Sequence, residues 1–360
     1  MKDSFFRWWK KLSDFVYRFV TRITYCVLSY RRCKGAPPLS REEKSRINQY
    51  WKDNYGKRVP LYEYAWYKSQ GIDPDPRLIP DVIWHSVIEP AFTNIQMERG
   101  FCDKNYFDIV IGSQNSPETV CRCINSQLLS GDYEALDIEM ACQILRQEKE
   151  VICKPSIDSG GGRSIIFLSG EEITLDKLQS LIKDYAGNFI MQRIVKQHAF
   201  MNQFNANSLN TMRITTFLYK GEVHLLYGAV RVGGARSRVD NYSSGGYYIQ
   251  LTRDGKLSDY ALQKNHTTHE LIKCTELSNG MHFAQLQVPN WQEIMDLVRK
   301  FHYKLPHFQI INWDIALRED GTPIFIEYNL IDSTPFPDQM NVGPVLGDLT
   351  DSVLQSISKK

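Results

Sequence analysis

The eight cysteines of this 360-residue sequence form no CxxC pair, and the chain contains no GxxxxGK[ST] loop, GxGxxG turn, HExxH or GxSxG. These absences exclude a zinc ribbon, a P-loop or Rossmann nucleotide site, a zincin and a hydrolase elbow. His266, His269 and Glu270 run in the order HxxHE, which does not place two imidazoles around a zinc ion. No internal repeat and no low-complexity tract is visible, so solenoids and disordered linkers are not expected. The first residues do not read as a cleavable leader. Reduced thiols and a cytoplasmic setting are therefore the expectation, with Cys121 and Cys123 read as two thiols in a helix rather than as ligands.

With 42% apolar and 12% aromatic residues, the chain can bury a substantial core. The net charge of +2 conceals a split: residues 1–34 carry nine Lys or Arg against Asp3 and Asp14, which leaves the remainder acidic. No nucleic-acid partner is expected of a body with that sign. Within the basic segment Phe5, Trp8, Trp9, Leu12, Phe15, Val16, Phe19, Val20, Ile23, Cys26, Val27 and Tyr30 fall on one half of a helix, and Arg7, Lys10, Lys11, Asp14, Arg18, Arg22 and Arg32 mainly on the other. Charge interrupts every stretch that could span a bilayer. Two readings stay open for residues 5–30: peripheral contact with a membrane, or docking on protein.

Gly35–Ser40 breaks that helix, and Ser40 with Glu43 has capping-box spacing for another through about Asn54. Residues 55–100 are aromatic and proline-rich without a clean period, so short helices and connections are expected. From Asp103 strands and helices alternate, giving a mixed α/β (α+β) chain. Strands are predicted at Val151–Lys154, Phe189–Gln192, Met212–Tyr219, Val223–Val232, Ile310–Leu317 and Ile324–Asn329, with helices opening at Thr174 and at Asn290, the latter with Glu293 at capping-box spacing.

The most informative stretch is Ile311–Asn329, two alternating runs around Asp320-Gly321. A two-residue loop there pairs Asp314 with Glu327 and Asn312 with Asn329, all on one face. Facing carboxylates repel unless a cation separates them, and an all-oxygen site of this kind suits Mg²⁺. Ile315, Trp313, Ile324 and Ile326 would form the buried layer behind. A second element, Val151-Ile-Cys-Lys154 followed by Ser159-Gly160-Gly161-Gly162-Arg163, delivers a lysine from a strand end into a glycine loop able to cover phosphates. A third, Asn188–His198, is an apolar strand running into a connection where adenine could pair with backbone groups. Arg213 and Arg231 lie on neighbouring predicted strands and are candidates to neutralise charge on a transferring phosphoryl group. The polar run Arg231–Gly246, with Arg236, Arg238, Asp240, Asn241, Tyr242 and Ser243, reads as a substrate loop or a surface loop.

Taken in order, these elements resemble the ATP-grasp superfamily. Asp103-Lys104, the Lys154 loop, Gln192 to His198, Ser208–Arg213, Val239-Asp-Asn241 with Gly245-Gly246, and Asn312-Trp-Asp314 are similar to the sugar-transfer associated ATP-grasp family. Many relatives carry a glutamate at the position of Gln192 and an arginine at that of Asn312. The resemblance implies two α+β subdomains clamping ATP, residues 103–198 and 199–357, preceded by a basic helix at 1–34 and a mostly helical region at 35–102. It implies that Lys104 and Lys154 contact phosphates with the loop Ser159–Gly162. Gln192, Arg193 and Ile194 would sit at the adenine, His198 at the ribose, and Asp314, Glu327 and Asn329 would hold Mg²⁺. The implied activity joins a carboxylate to an amine or amino sugar through an acylphosphate, in capsule or other surface-polysaccharide building at the inner membrane face. A kinase using the same site and a membrane-docked nucleotide-binding scaffold are the alternatives.

Overall fold

A computed structural model describes residues 2–157, 164–235, 237–240, 245–264, 271–331 and 334–358. The chain divides into two compact units. Met1–Ile95, His307–Ile310 and Leu330–Lys360 form a helical unit, and Gln96–Pro306 with Ile311–Asn329 a sheet-rich one. The sequence reading carries the C-terminal region on to residue 357, whereas contacts return residues 330–360 to the N-terminal helices. Phe336 packs on Trp66 and Tyr67, and Gln339 Oε1 accepts from Ile79 N at 2.7 Å.

The helical unit opens with Lys2–Arg32, then Arg41–Tyr55 and Tyr62–Ser69. Ser40 makes the expected capping box with Glu43, and Gly56 ends that helix in the left-handed region at φ 78°. Trp51, Tyr64, Tyr67 and Trp84 are fully buried, and Trp51 Nε1 donates to Tyr64 Oη at 2.7 Å, so the indole is satisfied inside the core. The N-terminal helix docks through its C-terminal half, where Tyr25 stacks on His85 at 3.7 Å and Arg32 pairs with Asp81 at 2.6 Å.

Two sheets build the other unit. β1 (Thr119–Ile124), β2 (Gln127–Ser130), β3 (Glu150–Pro155), β4 (Ile166–Ser169) and β5 (Phe189–Arg193) lie in the order β2-β1-β5-β3-β4, antiparallel throughout. Its core is covered by helices Ile138–Arg146 and Leu175–Asp184, with Cys121, Cys153, Leu178, Phe189 and Met191 at its centre. Cys121 and Cys123 therefore stand on a strand, which corrects the helical expectation. The buried Arg122 between them hides the two-residue period.

The second sheet runs β10-β9-β8-β7-β6-β11-β12, from β6 (Thr211–Tyr219), β7 (Glu222–Val232), β8 (Tyr247–Leu251), β9 (Leu257–Lys264), β10 (Leu271–Cys274), β11 (Ile310–Leu317) and β12 (Pro323–Asn329). The helix Trp291–His302 starts where expected but not as expected. Asn290 is left-handed at φ 54° and makes no side-chain cap, because its Nδ2 donates to Gly321 O at 2.8 Å instead.

The β11–β12 hairpin pairs Asp314 with Glu327 and Asn312 with Asn329, the register read from sequence, although its turn is different. Arg318 N donates to Thr322 O and Gly321 N to Arg318 O, which makes a three-residue loop with Gly321 at φ 85°. The one-residue offset is undone by a bulge at Ile326, since Ile315 faces Phe325 rather than Ile326. Phe325 takes the buried position expected of Ile326, which is turned toward a small cavity beside Lys104 and Lys154.

Candidate functional site

Asp314 projects from the middle of β11 and is almost wholly buried. Arg213 on β6 donates to both its oxygens, Nε at 2.9 Å and Nη2 at 2.8 Å, and Arg231 on β7 adds Nη1 at 3.0 Å. Burial by itself would raise this carboxyl, but the two guanidiniums outweigh it and hold it below its ordinary value. Burial likewise opposes the charge on Arg213, and Asp314 more than restores it. Arg231 also donates from Nη2 to Asp240 at 2.6 Å, and Asp240 accepts from Thr211 Oγ1. Its Nε–H is buried with no acceptor among the described residues.

On the facing strand Glu327 pairs with Lys104 Nζ at 3.0 Å. The sequence reading put a cation between the two carboxylates; in the structure each carboxylate has protein cations of its own. Lys104 is set by a short turn, Lys104–Tyr106. Its backbone N donates to Ser156 O just beyond β3 at 2.9 Å, and Asp103 accepts from Asn105 N at 2.9 Å. That turn is anchored by the fully buried Arg122, which donates to Asn105 O, to Asp108 and to Gly131 O and lies 4.0 Å over the Tyr133 ring. Lys154, at the end of β3, shares the small cavity with Lys104, Gln192 and Ile326. Withdrawal from water lowers its pKa to about 8, with Glu327 raising and Lys104 lowering it in smaller measure.

A larger cleft of about 1090 Å³ opens between Arg193–Lys196, at the end of β5, and Arg318–Asp320 in the hairpin turn. Ile194 is exposed at its wall, Arg193 is tied down by Glu148 and Glu118, and the Gln192 side chain donates to Pro117 O at 3.2 Å. His198 does not line either cavity; its Nδ1 accepts from Phe200 N at 3.1 Å and its backbone N donates to Leu317 O. Asn329 shares the face of Glu327, and its Nδ2 is buried without a partner among the described residues. Ser159, Gly160, Gly161 and Gly162 lie outside the described residues, as do Arg163, Arg236, Asn241, Tyr242, Ser243, His266, His269 and Glu270.

The structure thus brings Lys104, Lys154, Gln192, Arg213, Arg231, Asp314, Glu327 and Asn329 to one side of the hairpin and the ends of β3 and β5 in the first sheet. Sequence reasoning missed Arg122 and Asp108, which fix the Lys104 turn, and Asp240, read only as part of a polar loop. An arginine inside the apolar run Thr119–Ile124 was the available signal, since a buried guanidinium needs a carboxylate. Among the described residues no three His, Cys, Asp or Glu side chains cluster as a metal cage.

Residues 116–355 match the model of the sugar-transfer associated ATP-grasp family. The chain belongs to that family. No curated protein matches the sequence. Solved structures that resemble it include the biotin carboxylase domain of a 2-oxoglutarate carboxylase from Hydrogenobacter thermophilus, held in complex with MgADP, ADP and bicarbonate (17% identity, TM-score 0.41, 72% of this chain and 45% of that one). A biotin carboxylase from Campylobacter jejuni is 11% identical (TM-score 0.43, 72% and 46%). An L-amino acid ligase from Bacillus licheniformis is 14% identical (TM-score 0.39, 87% and 59%). The chain spans less than half the length of the two carboxylase chains.

Proposed function

We propose that this protein is a Mg·ATP-dependent ligase that joins a carboxylate to an amine or amino sugar in surface-polysaccharide building, at the cytoplasmic face of the membrane. The observation that carries the reading is the meeting of four cations, Lys104, Lys154, Arg213 and Arg231, around the facing pair Asp314 and Glu327. Such a surplus of fixed positive charge serves an anion whose charge must be held in place, as in phosphoryl transfer. Residues 103–198 and 199 onward supply the two halves of the clamp, one sheet each.

ATP and Mg²⁺ are the nucleotide and metal of this fold. The donor set fits the metal: Asp314, Glu327 and Asn329 offer oxygen ligands on one face, and the Asn329 Nδ2, buried without a partner among the described residues, allows that amide to turn its oxygen inward. Bound there, magnesium would neutralise phosphate oxygens. Lys104 and Lys154 would orient the phosphates, and Ile194 would flank the adenine in the larger cleft. In the reaction a substrate carboxylate oxygen attacks the γ-phosphorus and the bond to ADP breaks. The amine then attacks the acyl carbon, phosphate leaves, and one proton is released. Arg213 and Arg231 would hold charge on the transferring group.

The thermal midpoint of the purified protein with ATP, GTP and AMP, each with and without magnesium, tests the site, because binding to the folded state must raise it. A shift specific to Mg·ATP is expected, with Glu327→Gln abolishing magnesium-dependent nucleotide hydrolysis and keeping the fold. Normal turnover in that variant would remove Glu327 from the metal. A phosphorylated product without an amide would make the enzyme a kinase.

A further inference from the structure

The N-terminal helix docks on its own unit by the wrong face for a soluble protein. Tyr17, Thr21, Tyr25 and Ser29, recurring every four residues, turn inward with Cys26, followed by the buried Cys33 beyond the helix end. The contacts on that side are polar or aromatic: Tyr25 stacks on His85, Cys26 accepts from Tyr62 Oη, Arg32 reaches Asp81 and Glu63 and lies 3.3 Å over Phe336, and Arg18 Nη2 donates to Pro90 O. The aromatic and aliphatic half points away. Trp9 is 57% exposed and Phe15 65%, and eleven of the twenty large apolar side chains exposed among the described residues stand on this one helix. A docked helix ordinarily buries such a stripe and shows water its charges; here the order is reversed.

We infer that this outward face is a docking surface for a membrane carrying anionic phospholipid. Three observations select that occupant. At 100° per residue ten of those eleven side chains, all but Leu28, cover an arc of about 140°, wider than the narrow seam two helices share and suited to a flat boundary. Nine Lys or Arg against Asp3 and Asp14 make residues 1–34 strongly basic, and Arg22, Arg31 and Lys34 are exposed around the stripe. No helix among the described residues is long and apolar enough to cross a bilayer, so the helix lies along the surface. The domain sits on the polar half and the lipid takes the other. Trp8, Trp9, Phe15 and Phe19 enter the headgroup boundary, and the cations flanking them meet lipid phosphates. This surface belongs to the helical unit and its test reads no turnover, so the fate of the ligase reading does not decide it.

The full chain is sedimented with vesicles of phosphatidylcholine alone and of phosphatidylcholine with phosphatidylglycerol, and its mass is measured in their absence. Pelleting with the anionic vesicles only is expected. Phe15→Glu with Phe19→Glu should lower the partition by at least about tenfold. Both side chains are exposed, so the thermal midpoint of that variant stays unchanged and separates loss of lipid from loss of fold. Arg22→Glu with Arg31→Glu should lower it less and more steeply with salt removed. A wild-type chain that stays in the supernatant with both vesicles, or a Phe15/Phe19 variant that pellets like wild type, overturns the inference. So does a soluble dimer that the same two substitutions split, which would give the face to a second copy.

Discussion

Each unit buries an aspartate against arginine, yet the two clusters are balanced in opposite senses. In the helical unit Arg32 is the one cation paired with both Asp81 and Glu63 among the described residues, and Glu63 Oε1 has no hydrogen-bond donor among them. Burial, with Asp81 beside it, pushes the Glu63 carboxyl well up, and the same surroundings raise the Cys33 thiol to about 12. That cluster has more acid than base and settles the excess by holding a proton. In the sheet unit Arg213, Arg231, Lys104 and Lys154 meet Asp314, Glu327 and Asp240. Here base exceeds acid, and a lysine is the group driven toward neutrality. An anion surplus closes on itself; a cation surplus waits for a partner. The sign of the imbalance, more than the degree of burial, separates a structural cluster from a candidate site, for Arg32 and Arg213 keep almost the same side-chain exposure, 33% and 32%.

The sharpest way to break this contrast is to remove one arginine from each cluster. Arg32→Ala leaves the buried Asp81 carboxylate uncompensated beside the protonated Glu63 and should cost about 2–3 kcal/mol of stability, below the range for a wholly buried pair because Arg32 is partly in water. Denaturant unfolding checks it, and Mg·ATP binding should survive. Arg231→Met strands Asp240, which keeps only Thr211, while Arg213 still holds Asp314, so it too should cost at least about 2–3 kcal/mol, but here turnover also falls by about 10²–10³-fold, the usual loss for one donor to developing charge. Unchanged turnover in Arg231→Met would show that both clusters are structural.

Short apolar and β-branched runs between turn residues carried most of what could be read in advance. The strands that hold Lys154, Arg213, Arg231 and Asp314 are legible as such runs, and the facing of Asp314 and Glu327 follows from pairing. That facing survives a wrong turn, because the bulge at Ile326 restores the register that the three-residue loop shifts. Neither compensating feature has a local signature. β1 was missed because Arg122 occupies an inward position, and its partner Asp108 lies in an unrelated segment. Likewise the pairing of Asp314 with Arg213, 101 residues away, depends on strand order that no local pattern encodes. The N-terminal helix shows the limit from the other side: its two faces were plain in the sequence, and which one docks was not.

A smaller effect tests the same contrast through pH. Lys154, at about 8 in the folded protein, is mostly charged at pH 7 and mostly neutral at pH 9, so Mg·ATP binding should weaken by up to about tenfold across that interval. Lys154→Arg keeps the charge and should flatten the profile. Stability runs the other way: the unfolded chain holds a proton on this lysine between about 8 and its ordinary value that the folded chain has lost, so its contribution rises with pH there. Glu63 has the opposite sign. Its folded carboxyl keeps a proton the unfolded chain gives up, so its contribution falls as pH rises above the ordinary carboxylate range, and Glu63→Gln should remove that slope. Unfolding free energies of the two variants between pH 5 and pH 9 would therefore separate the clusters by the direction of their slopes. A common slope would mean that the two imbalances are not of opposite sign.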